Sequence, residues 1–138
     1  MIEHVWTVLC WRSIIDQDTK NLSLINTIEQ ITVKDQPKED GVIGLLFEMV
    51  SYWVRKDMEV PDQAMARYSI SSPSGNIKQI SEIAIDLTKE ERHRHRLRLQ
   101  GIQASESGRY NIIVEVKSMT DEEWTKVTSV PLMVKFEE

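Results

Sequence analysis

The sequence has one cysteine, Cys10, so no disulfide can close within the chain and a secreted, bridge-stapled domain is not the expectation. Glycine and proline are sparse, 5 and 4 among 138 residues, which excludes collagen-like and low-complexity organisation. Positive charge is in the minority: 17 Lys and Arg against 22 Asp and Glu leave a formal charge of -5. A chain of that sign has no general attraction to nucleic acid or to an anionic membrane. Long apolar runs are missing as well. The longest, Val42 to Val54, carries Glu48 and is too short to span a bilayer, and the opening Met1-Ile2-Glu3-His4 lacks the basic region of a signal peptide. By elimination the expected location is the cytoplasm, with no membrane contact.

Catalytic motifs are absent too. There is no Gly-x-Ser-x-Gly elbow, no His-Glu-x-x-His, no phosphate loop and no dinucleotide fingerprint, so no catalytic or cofactor-binding residue is assigned and no cofactor is expected. A hydrolase assembled from scattered residues is the remaining enzymatic alternative. Cys10 is a poor nucleophile, since Leu9 and Trp11 predict an apolar setting that raises a thiol pKa.

What the sequence does have is alternation. From Glu106 to Val116 a turn runs into a strand in which Tyr110, Ile112, Val114 and Val116 share one parity and Arg109, Ile113 and Glu115 the other. Similar strands are expected at His4 to Arg12, apolar on both faces, and at Leu22 to Val33 with a bulge. A central strand is expected from Val42 to Arg55, with Phe47, Met49 and Trp53 on one face. Ala66, Tyr68 and Ile70 alternate up to Ser72-Pro73-Ser74-Gly75, whose residues favour a type I turn. Further strands follow at Ile77 to Leu87, Arg92 to Leu99 and Trp124 to Phe136, with Pro131 demoting the middle of the last to an edge or bulge. Charged or polar loops separate them, among them Lys34 to Gly41. No long segment repeats every 3.6 residues. The expected fold is all-β: one domain over residues 1 to 138, a two-sheet antiparallel sandwich of about seven to nine strands.

The stretch Glu106-Ser107-Gly108-Arg109-Tyr110-Asn111-Ile112 resembles the Asp-x-Gly-x-Tyr-x-Cys signature that leads into strand F of immunoglobulin-like sandwiches. Gly108 and Tyr110 are in place, Glu106 stands where that family has Asp, and Ile112 where antibody domains have a cysteine. The resemblance implies an immunoglobulin-like sandwich with a structural corner at Gly108 and Tyr110, without the pin disulfide. The chain as a whole is similar to small bacterial proteins carrying such sandwiches, a likeness that implies no activity. Independently, a Tyr at a strand entrance can bury its ring and turn its hydroxyl to a backbone carbonyl.

Two features point to an interaction role. Trp6 and Trp11 lie on opposite parities of the first strand, so unless a bulge intervenes one indole faces away from the core. Arg92, Arg94, Arg96 and Arg98 form a row on one face of another strand, to be balanced by acids such as Glu82, Glu115 or Asp86 if it is merely a solvated surface. The expected function is therefore a non-catalytic module that binds a protein partner or itself. The alternative is an anionic-ligand or nucleic-acid binder using the arginine row. Two weaker metal patterns, Asp16 with Asp18 and His93 with His95, lack the further ligands that calcium or zinc requires, and no metal residue is assigned.

Overall fold

In the computed structural model, which describes residues 1–34 and 42–137, every regular element is a strand. They are β1 (Ile2–Ile15), β2 (Leu22–Thr27), β3 (Gln30–Val33), β4 (Val42–Ile43), β5 (Phe47–Arg55), β6 (Asp62–Ser71), β7 (Ile77–Leu87), β8 (Arg92–Leu99), β9 (Ile102–Gln103), β10 (Gly108–Ser118) and β11 (Thr125–Phe136). A four-stranded sheet in the order β2-β1-β5-β8 packs on a five-stranded sheet in the order β3-β11-β10-β6-β7, and β4 pairs with β9 in a small ribbon. Nine strands thus form the two layers. All pairs are antiparallel except β3 with β11, which run parallel.

The period of two decides the core. Phe47, Met49 and Trp53 of β5 meet Ala66 and Tyr68 of β6, Ile85 and Leu87 of β7, and Tyr110, Ile112 and Val114 of β10, all essentially inaccessible to water. Across the layers, Trp53 Nε1 donates to the Tyr68 hydroxyl at 3.3 Å and Arg55 Nε to the Leu87 carbonyl at 2.9 Å. At the entrance to β10 the Tyr110 hydroxyl donates to the carbonyl of Glu106 at 2.7 Å and accepts from the Glu106 N–H at 3.3 Å. Gly108 takes φ +137° beside it, and a Cβ there would lie 2.9 Å from Pro73 Cγ, so the turn is built for glycine.

Several boundaries differ from those the sequence suggests. The stretch Leu22 to Val33 is two strands, not one bulged strand: Asn26 adopts φ 53°, the Ile28 N–H donates to Leu9, and β3 leaves for the other sheet. Val42 to Arg55 is also divided, because the Leu45 N–H turns back onto the Ile43 carbonyl at 2.9 Å and separates β4 from β5. Strand β1 continues past Arg12, the end of its expected range, to Ile15. Pro131 sits inside a ladder with Asn111 opposite, just before β3 joins at Met133, so its missing N–H falls where β11 still has an open side. The turn at Ser72 to Gly75 closes through the Gly75 N–H and the Ser72 carbonyl at 2.9 Å. The loop expected from Lys34 to Gly41 lies, from position 35 on, outside the described residues.

Candidate functional site

The outward face of the first sheet gathers most of the residues singled out by sequence. The ladder β1-β5-β8 sets Trp6 opposite Tyr52 and Tyr52 opposite Arg94, then Val8 opposite Val50 and Val50 opposite Arg96, then Cys10 opposite Glu48 and Glu48 opposite Arg98. The arginine row and the tryptophan strand, which the sequence presents as two separate candidates, are therefore one surface. A register shift between His4 and Trp6 puts Trp6 on this face, its ring 5.7 Å from that of Tyr52. Trp11 is 45% exposed, and neither indole belongs to the core.

The far half of β1 and its partner β2 bend over this face, which is why the four arginines are not equivalent. Arg94 Nη2 donates to the Lys20 carbonyl at 2.9 Å, and Arg96 donates to Ser13 Oγ at 2.8 Å and to the Ser13 carbonyl at 3.0 Å. Arg98 is different: its side chain is 68% exposed, with Nη2 4.0 Å from Glu48 Oε1. Glu48 is only 4% exposed, and its other oxygen accepts the Ser13 N–H. The acids expected beside the row, Glu82, Glu115 and Asp86, are instead on the other sheet, where Glu115 holds Arg67 at 2.9 Å. Parity along a single strand says which side a residue takes, but not which strand lies beside it.

At the corner where β1 leaves β5, Trp11, Arg12, Leu46, Phe47, Glu48 and Arg98 line a notch of about 120 Å³. Leu46 is 57% exposed at its rim. An indole and a leucine offer apolar anchorage, and Arg12 and Arg98 offer donors in a fixed fork that matches carboxylate or phosphate. Sequence reasoning missed Arg12, Leu46, Ser13 and Glu48 here. A charged residue inside an apolar strand is a signal that could have pointed to Glu48; nothing local marks the others.

The remaining surfaces carry different chemistry. On the outward face of the second sheet, the Arg67 guanidinium carbon lies 4.4 Å from the centre of the Trp124 ring, with Lys117 Nζ at 5.1 Å. A cleft of about 550 Å³ opens between the layers at one end, walled by Ile2, Ala64, Val116 and Val127. Charges of both signs, Glu3, Lys56, Asp62 and Lys117 among them, ring it and select no one ligand class.

All three histidines lie on the inward side of the first sheet. His4 packs edge-on against Trp53, His95 stacks over Tyr68, and His93 stacks on His95 at 6.3 Å. Burial lowers the pKa of each, and His93 lowers that of His95 further. His4 Nε2 bonds Thr7 Oγ1 and Thr7 bonds Ser51, whereas His95 Nε2 is buried with no hydrogen-bond partner among the described residues. Among those residues no three His, Cys, Asp or Glu side chains converge as a metal site, and His93 and His95 serve as packing. Asp16 Oδ1 accepts the N–H groups of Asp18 and Thr19, so it builds the β1–β2 turn. Cys10 is buried, and burial followed by the charge of Glu48 raises its thiol pKa.

Fold and surface together define a two-layer β-sandwich with an exposed tryptophan–arginine corner. No protein-family model and no curated protein matches the chain. Among solved structures it is similar to the C-terminal domain of Wzt, with TM-score 0.54, 10% identity and coverage of 97% of this chain and 73% of that one. It is also similar to a β-glucosidase from Listeria innocua in complex with glucose, with TM-score 0.53 and 9% identity over 80% of this chain; it spans 15% of the glucosidase. An immunoglobulin-like protein from Pseudomonas aeruginosa aligns over 98% of this chain and 92% of its own, at 12% identity and TM-score 0.37. For the first two, identities this low establish fold alone, and the third superposes too loosely to add to that.

Proposed function

We propose that the protein is a non-catalytic binding or assembly module of the cytoplasm, an immunoglobulin-like sandwich whose docking surface is the Trp11–Arg98 corner. The observation that carries this reading is convergence. Trp11 and Arg12 from β1, Leu46 from the link before β5, and Arg98 from β8 meet at one notch, although they are far apart in the chain. A large aromatic, an aliphatic rim and a largely exposed guanidinium make the composition of an interface anchor. Because both cations of the notch belong to arginine, the partner group best matched is a carboxylate beside apolar residues.

Connectivity supports the immunoglobulin-like part. With β5, β6, β7, β8, β10 and β11 taken as strands B, C, C′, E, F and G, one layer reads A-B-E from β1 through β8 and the other G-F-C-C′. The corner tyrosine then falls on F. No strand occupies the D position beside β8 among the described residues, and β2 lies beyond A instead.

The test is a tagged pull-down with chemical crosslinking, comparing wild type with a Trp11→Ala, Arg98→Glu double variant. The wild type should capture a discrete partner that the variant retains at least about tenfold less, a loss of about 1.4 kcal/mol, with an almost unchanged melting curve. Arg94 and Arg96 are left intact because they hold the β1–β2 hairpin. Equal capture by both proteins would overturn the reading.

A further inference from the structure

Strands β7 and β8 each end a sheet, on the same side of the sandwich, because the short link Thr88 to Glu91 carries the chain directly from one layer to the other. Each therefore has one backbone edge with no ladder partner among the described residues. An open edge of that length is a template for another strand. The side chains around it are also incompletely covered: Leu97 and Leu99 of β8 and Ile80 and Ile83 of β7 face the core yet remain only half-buried.

The outward residues of the two edges have opposite charge. Strand β8 carries Arg92, Arg94, Arg96 and Arg98, of which Arg94 and Arg96 are bonded to the β1–β2 hairpin and Arg92 lies exposed, whereas β7 presents Glu82 and Asp86, both exposed, with Lys78 near its start. Within one molecule these rows cannot pair across a ladder, since they belong to different sheets.

We propose that two copies of this chain pair through these edges, β8 of each against β7 of the other. A two-fold axis parallel to the strands brings this about. It exchanges the layers, keeps each strand's direction and height, and sets β8 antiparallel to β7 of the second copy. The contact is isologous, so it closes at two copies and does not propagate. Because Leu87 and Arg92 flank the same short link, they sit at one end of the sandwich, which places Arg92 beside Asp86 of the second copy and leaves Glu82 in the field of the arginine strand. The four-stranded sheet of one copy becomes continuous with the five-stranded sheet of the other. The half-covered Leu97, Leu99, Ile80 and Ile83 would then close over a shared core. This takes up the assembly side of the function proposed above and rests on it, but uses a different surface from the Trp11–Arg98 corner.

Sedimentation equilibrium and light scattering, over a concentration series reaching the millimolar range at low salt, read the outcome. The expected mass tends to twice 16.1 kDa, with the amides of β8 and β7 exchanging more slowly as the concentration rises. Glu82→Arg, at an exposed position, should raise the dissociation constant at least about tenfold, and Arg92→Asp likewise. Combining Arg92→Asp with Asp86→Arg should recover most of what Arg92→Asp loses. Since Asp86 also caps Thr88, circular dichroism confirms that each variant is folded, and Glu82→Arg alone keeps the test decisive if the Asp86 variant is not. A mass of 16.1 kDa throughout would overturn the proposal, as would a dimer indifferent to Glu82→Arg and Arg92→Asp. A monomer leaves the Trp11–Arg98 reading standing, and failed partner capture leaves the dimer standing, so the two can fail separately.

Discussion

Glu48 shows what a single residue does in this fold. It sits on the outward face of a central strand, where water would normally reach it, and is buried because the β1–β2 hairpin folds over that face and gives it the Ser13 N–H. A carboxylate taken from water without such a donor is costly. Glu48→Ala should therefore destabilise by about 2 to 3 kcal/mol in urea titrations, and Glu48→Gln by less, since an amide oxygen still accepts the Ser13 proton. Tyr110→Phe should cost about 1 kcal/mol through the bond to Glu106, and Val114→Ala about 2 kcal/mol through the cavity left between the layers. A Tyr110→Phe variant as stable as wild type would mean that the corner contributes packing alone. Tyr110 was legible in the sequence, because a glycine turn before a strictly alternating strand leaves its ring one side to take. Glu48 was not, because its burial depends on a hairpin from another part of the chain.

The inward row of the first sheet gives a prediction at the scale of the element. His4, His93 and His95 have pKa values lowered by burial, so the folded state holds them neutral while the unfolded chain takes up protons below a pH of about 6.5. The unfolded state then binds more protons, and stability rises with pH across that window. Their contribution is whole above the unfolded value and is lost as the pH falls through it toward the lowered folded values. The melting temperature should drop on going from pH 7 toward pH 5, before the carboxylates Asp16 and Asp86, whose pKa values are lowered by hydrogen bonds, begin to protonate. His95→Phe should flatten that drop; an unchanged slope would show that the histidines do not govern it. Strand β8 should loosen first in amide exchange, because it is an edge and carries two of the three rings.

Elements also mark the limit of what the sequence told. Wherever alternation was unbroken, as in β8, β10 and the Ile83 to Leu87 half of β7, strand and inward face agreed with the reading from sequence. The failures came where apolar residues continue through a break. The turn at Leu45 hides inside Gly44-Leu45-Leu46, and the break at Asn26 inside a run of leucines and isoleucines, because a backbone turn needs one residue of unusual φ or one short hydrogen bond and no change in hydropathy. The glycine at the corner is the opposite case. Gly108→Ala should destabilise by about 1 to 3 kcal/mol in thermal or urea unfolding, since it adds a Cβ at φ +137° against Pro73.

At the scale of the whole molecule, the sandwich presents several surfaces, and charge separates them. The chain is acidic overall, so the exposed Arg92 and Arg98, with Arg12 nearby, are exceptions to its field. The sequence could name the arginine row and the tryptophans, but not that β5 joins them into one face, nor that two of the four guanidinium groups are already held by the hairpin. Pairing order between strands is a property of the complete fold. The most direct measurement is an amide-exchange and crosslinking footprint of the complex with the partner captured by the wild-type protein. Protection is expected at residues 10–13, 46–48 and 96–99, the three segments that form the Trp11–Arg98 corner. Protection confined to the opposite face, around Arg67, Glu115 and Trp124, with the corner exchanging as in the free protein, would contradict the account.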